Sequence, residues 1–558
     1  MDSEKLRKKF LDFFEKNGHK IVPSSSLLPK DLSVLLTTAG MQQFKPYYTG
    51  KESPYGKNVA SCQKCFRTSD IDEVGDERHL TFFEMLGNFS FGGYFKKEAI
   101  ELAKKFLDSL KIKIDYVTVF EGDKDTPKDQ ESAEIWQELG FSEEKGNLKF
   151  CNKEENFWGP TGQEGPCGPT TEIYSDGIEI WNIVFNQYYC KDGKMEKLAS
   201  PGIDTGMGLE RLAKVSQKKE TIFETDLFEP VIKYLEKISG KKYRDNQRFF
   251  RIIADHIRSS VFLIADGILP SNIEQGYILR RVLRRTIRYG KNLNLPRNFL
   301  IDLAQLVIQE YGLIYPELKR NQADIITAIQ KEEEKFELTL ERGLKEFEKL
   351  KEITGEKAFD LYQSYGFPFE LTEELAKEKG ILVDKESFKK SFEKHQEISR
   401  AGAEQKFKGG LADHSEKTTK YHTATHLLLA ALRQVLGNDV FQKGSNITVE
   451  RLRFDFSHKE KLTPEQLKKV EELVNQKIGE DLEVKFEEIP LDEARKQGAM
   501  GVFGEKYGEV VKVYTIGSFS KEICGGPHVN HTSELGHFKI TKEESSSAGV
   551  RRIRAILE

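Results

Sequence analysis

The spacing of apolar side chains changes twice along this chain, and each change predicts a different kind of structure. Residues 4–17 place Leu6, Phe10, Phe13 and Phe14 at helical intervals, so the chain is predicted to open with an amphipathic helix. Short β-branched runs follow, among them YVTVF at 116–120 and IEIWNIVF at 178–185, which read as strands. Glycine and proline punctuate this region without a repeating strand–helix–strand rhythm. That predicts an α+β domain over 1–240 with an antiparallel or mixed sheet. From 241 to 400 the periodic stretches lengthen and become helical. Phe336, Leu340, Leu344 and Phe347 form a stripe among Glu and Lys, and at about three heptads it is expected to pack within the domain rather than stand out as a coiled-coil arm. Gly402, Gly409 and Gly410 lie among polar residues and mark a linker over 401–420, ahead of a third domain over 421–558.

Composition narrows the class. The 558 residues are 38% hydrophobic and 32% charged, enough to bury several cores without disulfides. Lys plus Arg is 86 against 90 for Asp plus Glu, a net charge of -4, which excludes a uniformly basic nucleic-acid coat but leaves room for a local basic face. No run approaches the ~18 apolar residues of a membrane span. The N-terminus has charges throughout and no apolar signal core. Cysteines 62, 65, 151, 167, 190 and 524 are few and scattered, which suits a reducing cytoplasm and argues against a disulfide framework.

The sharpest chemical signal is His422-Thr-Ala-Thr-His426. Two histidines at i and i+4 share one helix face and can share one ion. Downstream, Cys524-Gly-Gly-Pro-His528 lets a glycine-rich turn bring a thiolate and an imidazole together. One Cys and three His suit Zn²⁺, and four protein ligands point to positioning or structure, because a zinc that makes hydroxide needs an open place. Cys62-Gln-Lys-Cys65 has no second pair nearby and makes a weaker zinc site. Elsewhere, the aromatic stretch 80–94 and the upstream Arg67 read either as a nucleotide floor or as a hairpin with core aromatics. Gly206 and Gly208 open a helix bearing Glu210 and Arg211, a weak sign alone. Residues 277–297 hold Arg280, Arg281, Arg284, Arg285, Arg288, Lys291 and Arg297 with no acid. Arg281, Arg285 and Arg288 share a helix face and are expected to meet RNA phosphates.

FFEMLGNFSFG, NFW, GPCGP, EIWNIVF, DTGMGLER, RIIADHIRS, ADGILPSN, LRRVLRR, YGFP, HTATH, RFDFSH, GEKYG and CGGPH occur here in one order. Together they make the chain resemble the bacterial alanyl-tRNA synthetases over nearly its whole length. The resemblance implies a class II catalytic domain, an antiparallel sheet flanked by helices that binds ATP, Mg²⁺ and L-alanine. A helical domain for the tRNA acceptor stem and an α+β zinc-binding editing domain would follow it. It implies that Arg67 holds the α-phosphate, that Arg211 stacks on adenine or grips phosphate, and that Asp204 pairs with the alanine ammonium. Trp158, Asn182 and Val184 would line the amino-acid pocket, with His79, Phe82, Glu84, Gly206 and Gly208 around the nucleotide. Leu80 stands where many relatives carry a histidine.

By the same resemblance Asn272 reads a guanine–uracil wobble in the stem. Its usual partner, an aspartate, is Gln363 here, which both donates and accepts, so strict dependence on the wobble pair does not follow from the resemblance. An alanine pocket cannot exclude glycine and discriminates weakly against serine, since one methylene is worth only about 1–3 kcal/mol. Residues 421–558 resemble the editing core that hydrolyses such errors, with Gln442 in its pocket and Pro527 replacing the usual threonine. The small β-barrel that usually precedes this core is nearly absent, and the chain ends directly after it. A monomer is expected, with a separate peptide as one source of the C-terminal domain. A non-catalytic tRNA-binding paralogue or an editing-only deacylase is the rival reading. It sits badly with Arg67, Asp204 and Arg211 all present.

Overall fold

In the computed structural model, which describes residues 1–31, 33–160, 162–350, 352–404, 415–458, 460–501, 510–547 and 549–558, Asp2 caps the opening helix α1 (Ser3–Lys16) by accepting from the Lys5 backbone N–H at 2.9 Å. The predicted stripe of Leu6, Phe10 and Phe14 is buried. It lies on a sheet, with the Phe10 and Phe14 rings 5.9 and 6.3 Å from Trp181.

Among the described residues that sheet has nine strands: β1 (Lys20–Ile21), β2 (Asn58–Phe66), β3 (Phe82–Phe91), β4 (Tyr116–Phe120), β5 (Leu148–Cys151), β6 (Phe157–Trp158), β7 (Glu164–Ser175), β8 (Ile178–Lys191) and β9 (Lys194–Gly208). Their order is β1-β2-β3-β9-β8-β7-β4-β5, with β6 added beside β7. Only the edge pairs β1–β2 and β4–β5 run parallel, so the sheet is mixed around an antiparallel centre. The strand period of two then sorts the side chains. Leu86, Trp181, Ile183, Phe185, Ile203 and Met207 pack beneath the helices, while Phe83, Met85, Asn182, Val184, Asp204 and Gly206 face the other way.

β9 leads straight into α2 (Leu209–Gln217). The helices beyond it include α3 (Gln247–Ala265), α4 (Glu274–Asn292), α5 (Gln322–Lys349), α6 (Gly355–Tyr365) and α7 (Phe369–Glu378). No break in packing falls at residue 240, because Phe262 of α3 stacks on Phe82 at 4.1 Å and Arg258 donates to the Phe82 carbonyl at 2.6 Å. Sheet and helices make one compact unit, Met1–Val383. Within it α5 buries Ile325, Ile329, Phe336, Leu340 and Phe347, so the stripe is core and not an arm.

The second unit is Asp384–Glu558. Of the expected linker, 401–404 finish the helix Lys385–Glu404, 416–420 begin helix α8 (Glu416–Leu436), and 405–414 lie outside the described residues, as does the GEKYG segment. Strands β10 (Gln442–Ile447), β11 (Leu452–Ser457), β15 (Phe538–Ser547) and β16 (Val550–Leu557) form a sheet in the order β10-β11-β16-β15. β12 (Val484–Pro490), β13 (Val510–Ile516) and β14 (Ser520–Ile523) form a second one. α8 lays Ala424, Leu427, Leu428 and Leu432 on the first sheet's Leu452, Phe454, Ile553 and Ala555.

Two expectations need correction. Cys167 on β7 and Cys190 on β8 form a disulfide, because the β7–β8 hairpin brings residues 23 apart to a Cα separation of 6.2 Å. Phe82 and Glu84 belong to the buried side of β3, one register step away from the nucleotide side. Glu84 takes two hydrogen bonds from Arg7, at 2.9 and 2.7 Å, and one from the Tyr315 hydroxyl at 2.7 Å.

Arg7 and Glu84 are both buried, so removing one partner strands the other charge. Arg7→Met is expected to destabilise the first unit by about 3–5 kcal/mol, with Arg7→Met/Glu84→Met recovering much of the loss, as read from urea unfolding midpoints.

Candidate active site and metal centre

A cavity opens on the free face of β3, β9, β8 and β7, at the point where β9 hands over to α2. Arg67, His79, Trp158, Asn182, Val184, Asp204, Gly206, Gly208 and Arg211 line it together. Asp204 stands opposite Val184 on β8 and Phe89 on β3, at the floor. Its carboxylate has no hydrogen-bond or ion-pair partner among the described residues, and burial raises it to about 7. Arg67 enters from the end of β2 with its guanidinium 5.0 Å from the Phe83 ring. Arg211 donates to the Glu179 carboxylate at 2.6 Å and to the Glu179 carbonyl at 3.0 Å. His79 is held by Asp76 at 2.5 Å from its Nδ1. A Cβ on Gly206 would sit 3.0 Å from the Met85 sulfur, whereas one on Gly208 would meet only the Arg211 chain at 3.8 Å, so Gly208 keeps the cavity itself clear.

Several lining residues escaped the sequence reading, among them Phe83, Arg78, Met85, Glu172 and Glu179. Phe83 takes the place assigned to Phe82, and β3 could have been phased from Leu86 inward. Glu172 and Glu179 add to the cavity's carboxylates, beside Asp204, Asp70 and Glu210. Glu172 accepts from Asn182 at 2.9 Å and from the Tyr174 hydroxyl at 2.7 Å, and burial together with Glu179 raises it to about 7.

The arginine face of α4 is not the RNA surface expected of it. Arg285 and Arg288 are buried against α7, where Glu374 accepts from Arg285 at 2.8 Å and lies 3.3 Å from Arg288, which also pairs with Glu378. Burial would raise the Glu374 carboxyl, but the Arg285 and Arg288 charges reverse this and hold it at about 2. Arg281 pairs with Asp72 at 2.6 Å. Buried arginines must be paired, and these find their acids some ninety residues on, out of reach of any local charge count. Asn272 and Gln363 are exposed, Asn272 ahead of α4, where it accepts from Arg280, and Gln363 on α6.

In the second unit, ligand atoms of His422, His426, Cys524 and His528 all lie within 4.8 Å of one another. The outer nitrogens are already committed. His422 Nδ1 donates to the Pro527 carbonyl at 3.0 Å, His426 Nδ1 meets the Glu522 carboxylate at 2.7 Å, and His528 Nδ1 lies 3.2 Å from Thr423 Oγ1. This leaves the Nε2 atoms to converge, those of His426 and His528 buried without a hydrogen-bond partner and that of His422 at 3.4 Å from the Cys524 sulfur. Imidazoles oriented by second partners are the usual setting of a bound metal. Burial would raise the Cys524 thiol, but the three imidazoles around it, His422 first among them, outweigh this and lower it to about 2, a thiolate ready to ligate. The donor set therefore fits a metal ion. Pro527 contributes its carbonyl, so replacing a threonine there leaves this support intact. Gln442 opens β10 and donates to Ser445 Oγ at 3.3 Å.

Cys62 and Cys65 cannot form a second centre, since residues three apart on β2 point to opposite faces of the sheet. Among the described residues no helix is long and apolar enough to cross a membrane.

The family described as tRNA synthetases class II (A) matches residues 5–447, and the threonyl and alanyl tRNA synthetase second additional domain matches 511–554. The alanine–tRNA ligase of Treponema denticola is 52% identical, across 100% of this chain and 99% of that protein. That of Borrelia hermsii is 50% identical across 100% of both. That of Dehalococcoides mccartyi is 38% identical across 99% of this chain and 80% of its own length.

A Cβ on Gly526 would lie 2.3 Å from His422 Cε1. Gly526→Ala is therefore expected to displace His422 and lower the metal content of the purified protein, measured by elemental analysis, while the fold of the first unit persists.

Proposed function

The chain belongs to the class II tRNA synthetases, among the alanine–tRNA ligases, and from that premise we propose how its two sites work. It is an aminoacyl-tRNA ligase that activates alanine with ATP and carries the domain associated with editing.

The observation that carries the active-site reading is Asp204, a buried carboxylate with no cation to face, at the floor of a small pocket. The ammonium of alanine supplies that cation. Val184 and Trp158 close around its methyl group and leave its carboxylate pointing at the nucleotide. That carboxylate attacks the α-phosphorus, and pyrophosphate leaves. Arg67, steadied on Phe83, meets the charge that builds on the α-phosphate, and Arg211 exchanges Glu179 for the nucleotide. Mg²⁺ arriving with ATP would neutralise phosphate charge, and Glu172 and Glu179 are among the cavity carboxylates that would hold it. The terminal tRNA hydroxyl then attacks the alanyl carbonyl carbon, and AMP leaves.

Asn272 and Gln363, both exposed, are read as the acceptor-stem contacts, and Gln363 can both donate and accept at the guanine–uracil pair. In the second unit, His422, His426, Cys524 and His528 would hold Zn²⁺ through four protein ligands, and the ion would supply structure and positioning for hydrolysis of seryl- and glycyl-tRNA. Gln442 is read as part of that pocket.

Because Asp204 stands near 7 before alanine binds, the ionised form that takes the ammonium is lost as pH falls below that value. In alanine-dependent exchange of pyrophosphate into ATP, kcat/KM for alanine is expected to rise with pH up to about 7 and then level off. Asp204→Asn should lower kcat/KM about a hundredfold and flatten the profile. A wild-type profile flat through this range would contradict the role given to Asp204.

A further inference from the structure

The loop joining β2 to β3 carries Arg67, Arg78 and His79 into the cavity, but its supports come from the helices. Thr81 donates twice to Asp255 on α3, through its backbone N–H at 3.0 Å and its hydroxyl at 2.5 Å. The Thr81 carbonyl in turn accepts from the Arg67 backbone N–H at 2.9 Å. Asp255 also lies 2.8 Å from His256 Nδ1, and His256 Nε2 lies 3.0 Å from Arg285 Nη1. Arg285 donates to the carbonyl of Ile71 within the loop at 2.8 Å and to Glu374 on α7 at 2.8 Å.

Asp255, His256 and Arg285 are buried, so none of these bonds can be exchanged for water. Burial, reinforced by the Arg285 charge, holds His256 below the usual histidine range. A neutral imidazole donates from Nδ1 and accepts at Nε2, which suits a carboxylate on one side and a guanidinium on the other. The Arg285 charge is balanced by acids at both ends of the chain, Asp255 and Glu374. The same helix α4 also reaches the turn between α6 and α7, where Arg284 donates to the Gly366 carbonyl.

We propose that Asp255, His256, Arg285 and Glu374 form a positioning relay for the ATP-binding loop. It sets the place of Thr81 and, through the Thr81 carbonyl, of the Arg67 backbone, and it links that place to α7, next to the helix bearing Gln363. Arg285 of the segment LRRVLRR thus holds the active site in shape. This role rests on the reading of the cavity as the ATP site.

The test is alanine-dependent pyrophosphate exchange by the full chain, with KM for ATP and for alanine determined separately. Thr81→Val keeps the side-chain shape and removes the hydroxyl. It is expected to raise KM for ATP about tenfold while KM for alanine stays unchanged. Thr81→Ser, which restores the donor, should return KM for ATP towards wild type. Glu374→Gln, at the far end and outside the cavity, should raise KM for ATP in the same direction. A merely structural role would instead lower the fraction of active molecules, reducing kcat and leaving both KM values alone, and that result overturns the proposal. So would a Thr81→Ser variant as impaired as Thr81→Val, or a Glu374→Gln variant changed only in melting temperature. Failure of the wild-type chain to exchange pyrophosphate overturns the ATP-site reading itself, a different outcome.

Discussion

A β-strand has two faces, and in the first unit one of them is fully committed to burying helices. Trp181, Ile183 and Phe185 on β8, Ile203 and Met207 on β9 and Leu86 on β3 all pack into that core. What the central strands offer a substrate must therefore come from the alternate positions, among them Phe83, Met85, Asn182, Val184, Asp204, Gly206 and Gly208. The antiparallel register β3-β9-β8-β7 sets these positions side by side. Asp204 is buried without a cation because the same register that builds the core leaves it nowhere else to point.

Charge inside this protein is handled by pairing over long distances. Arg7 meets Glu84, Arg285 and Arg288 meet Glu374, and Arg258 lies 2.9 Å from Glu210. Each pair joins elements far apart in sequence, and each sits at a joint between the sheet and its helices or between two helices. Such pairs add little net stability over apolar contacts, but breaking one is costly, so they specify which elements lie together. The metal centre follows a comparable logic. Glu522, Thr423 and the Pro527 carbonyl each take one imidazole nitrogen and turn the other inward.

Much of this was legible in the residues. The opening helix, the strands at 116–120 and 178–185, and the quartet His422, His426, Cys524 and His528 follow from periodicity and ligand chemistry, and ordered motifs marked the family. What escaped depends on partners distant in the chain. Phe82 and Phe83 are equally aromatic, and only the pairing of β3 decides which one faces the cavity. The Cys167–Cys190 bridge needs the β7–β8 hairpin, and Glu172 and Glu179 meet across that same hairpin. The basic run of α4 shows its sign in sequence but not the glutamates of α7 that neutralise it.

A pocket too small to avoid errors asks one chain both to join alanine to its tRNA and to clear what is mischarged. The most direct measurement is acylation of the tRNA with labelled alanine and, separately, with labelled serine, by the wild-type chain and by Cys524→Ala. Alanyl-tRNA is expected to accumulate with both proteins, and seryl-tRNA only with the variant. Seryl-tRNA accumulating equally with both would separate the metal centre from proofreading, and no alanyl-tRNA from the wild-type chain would contradict the account at its base.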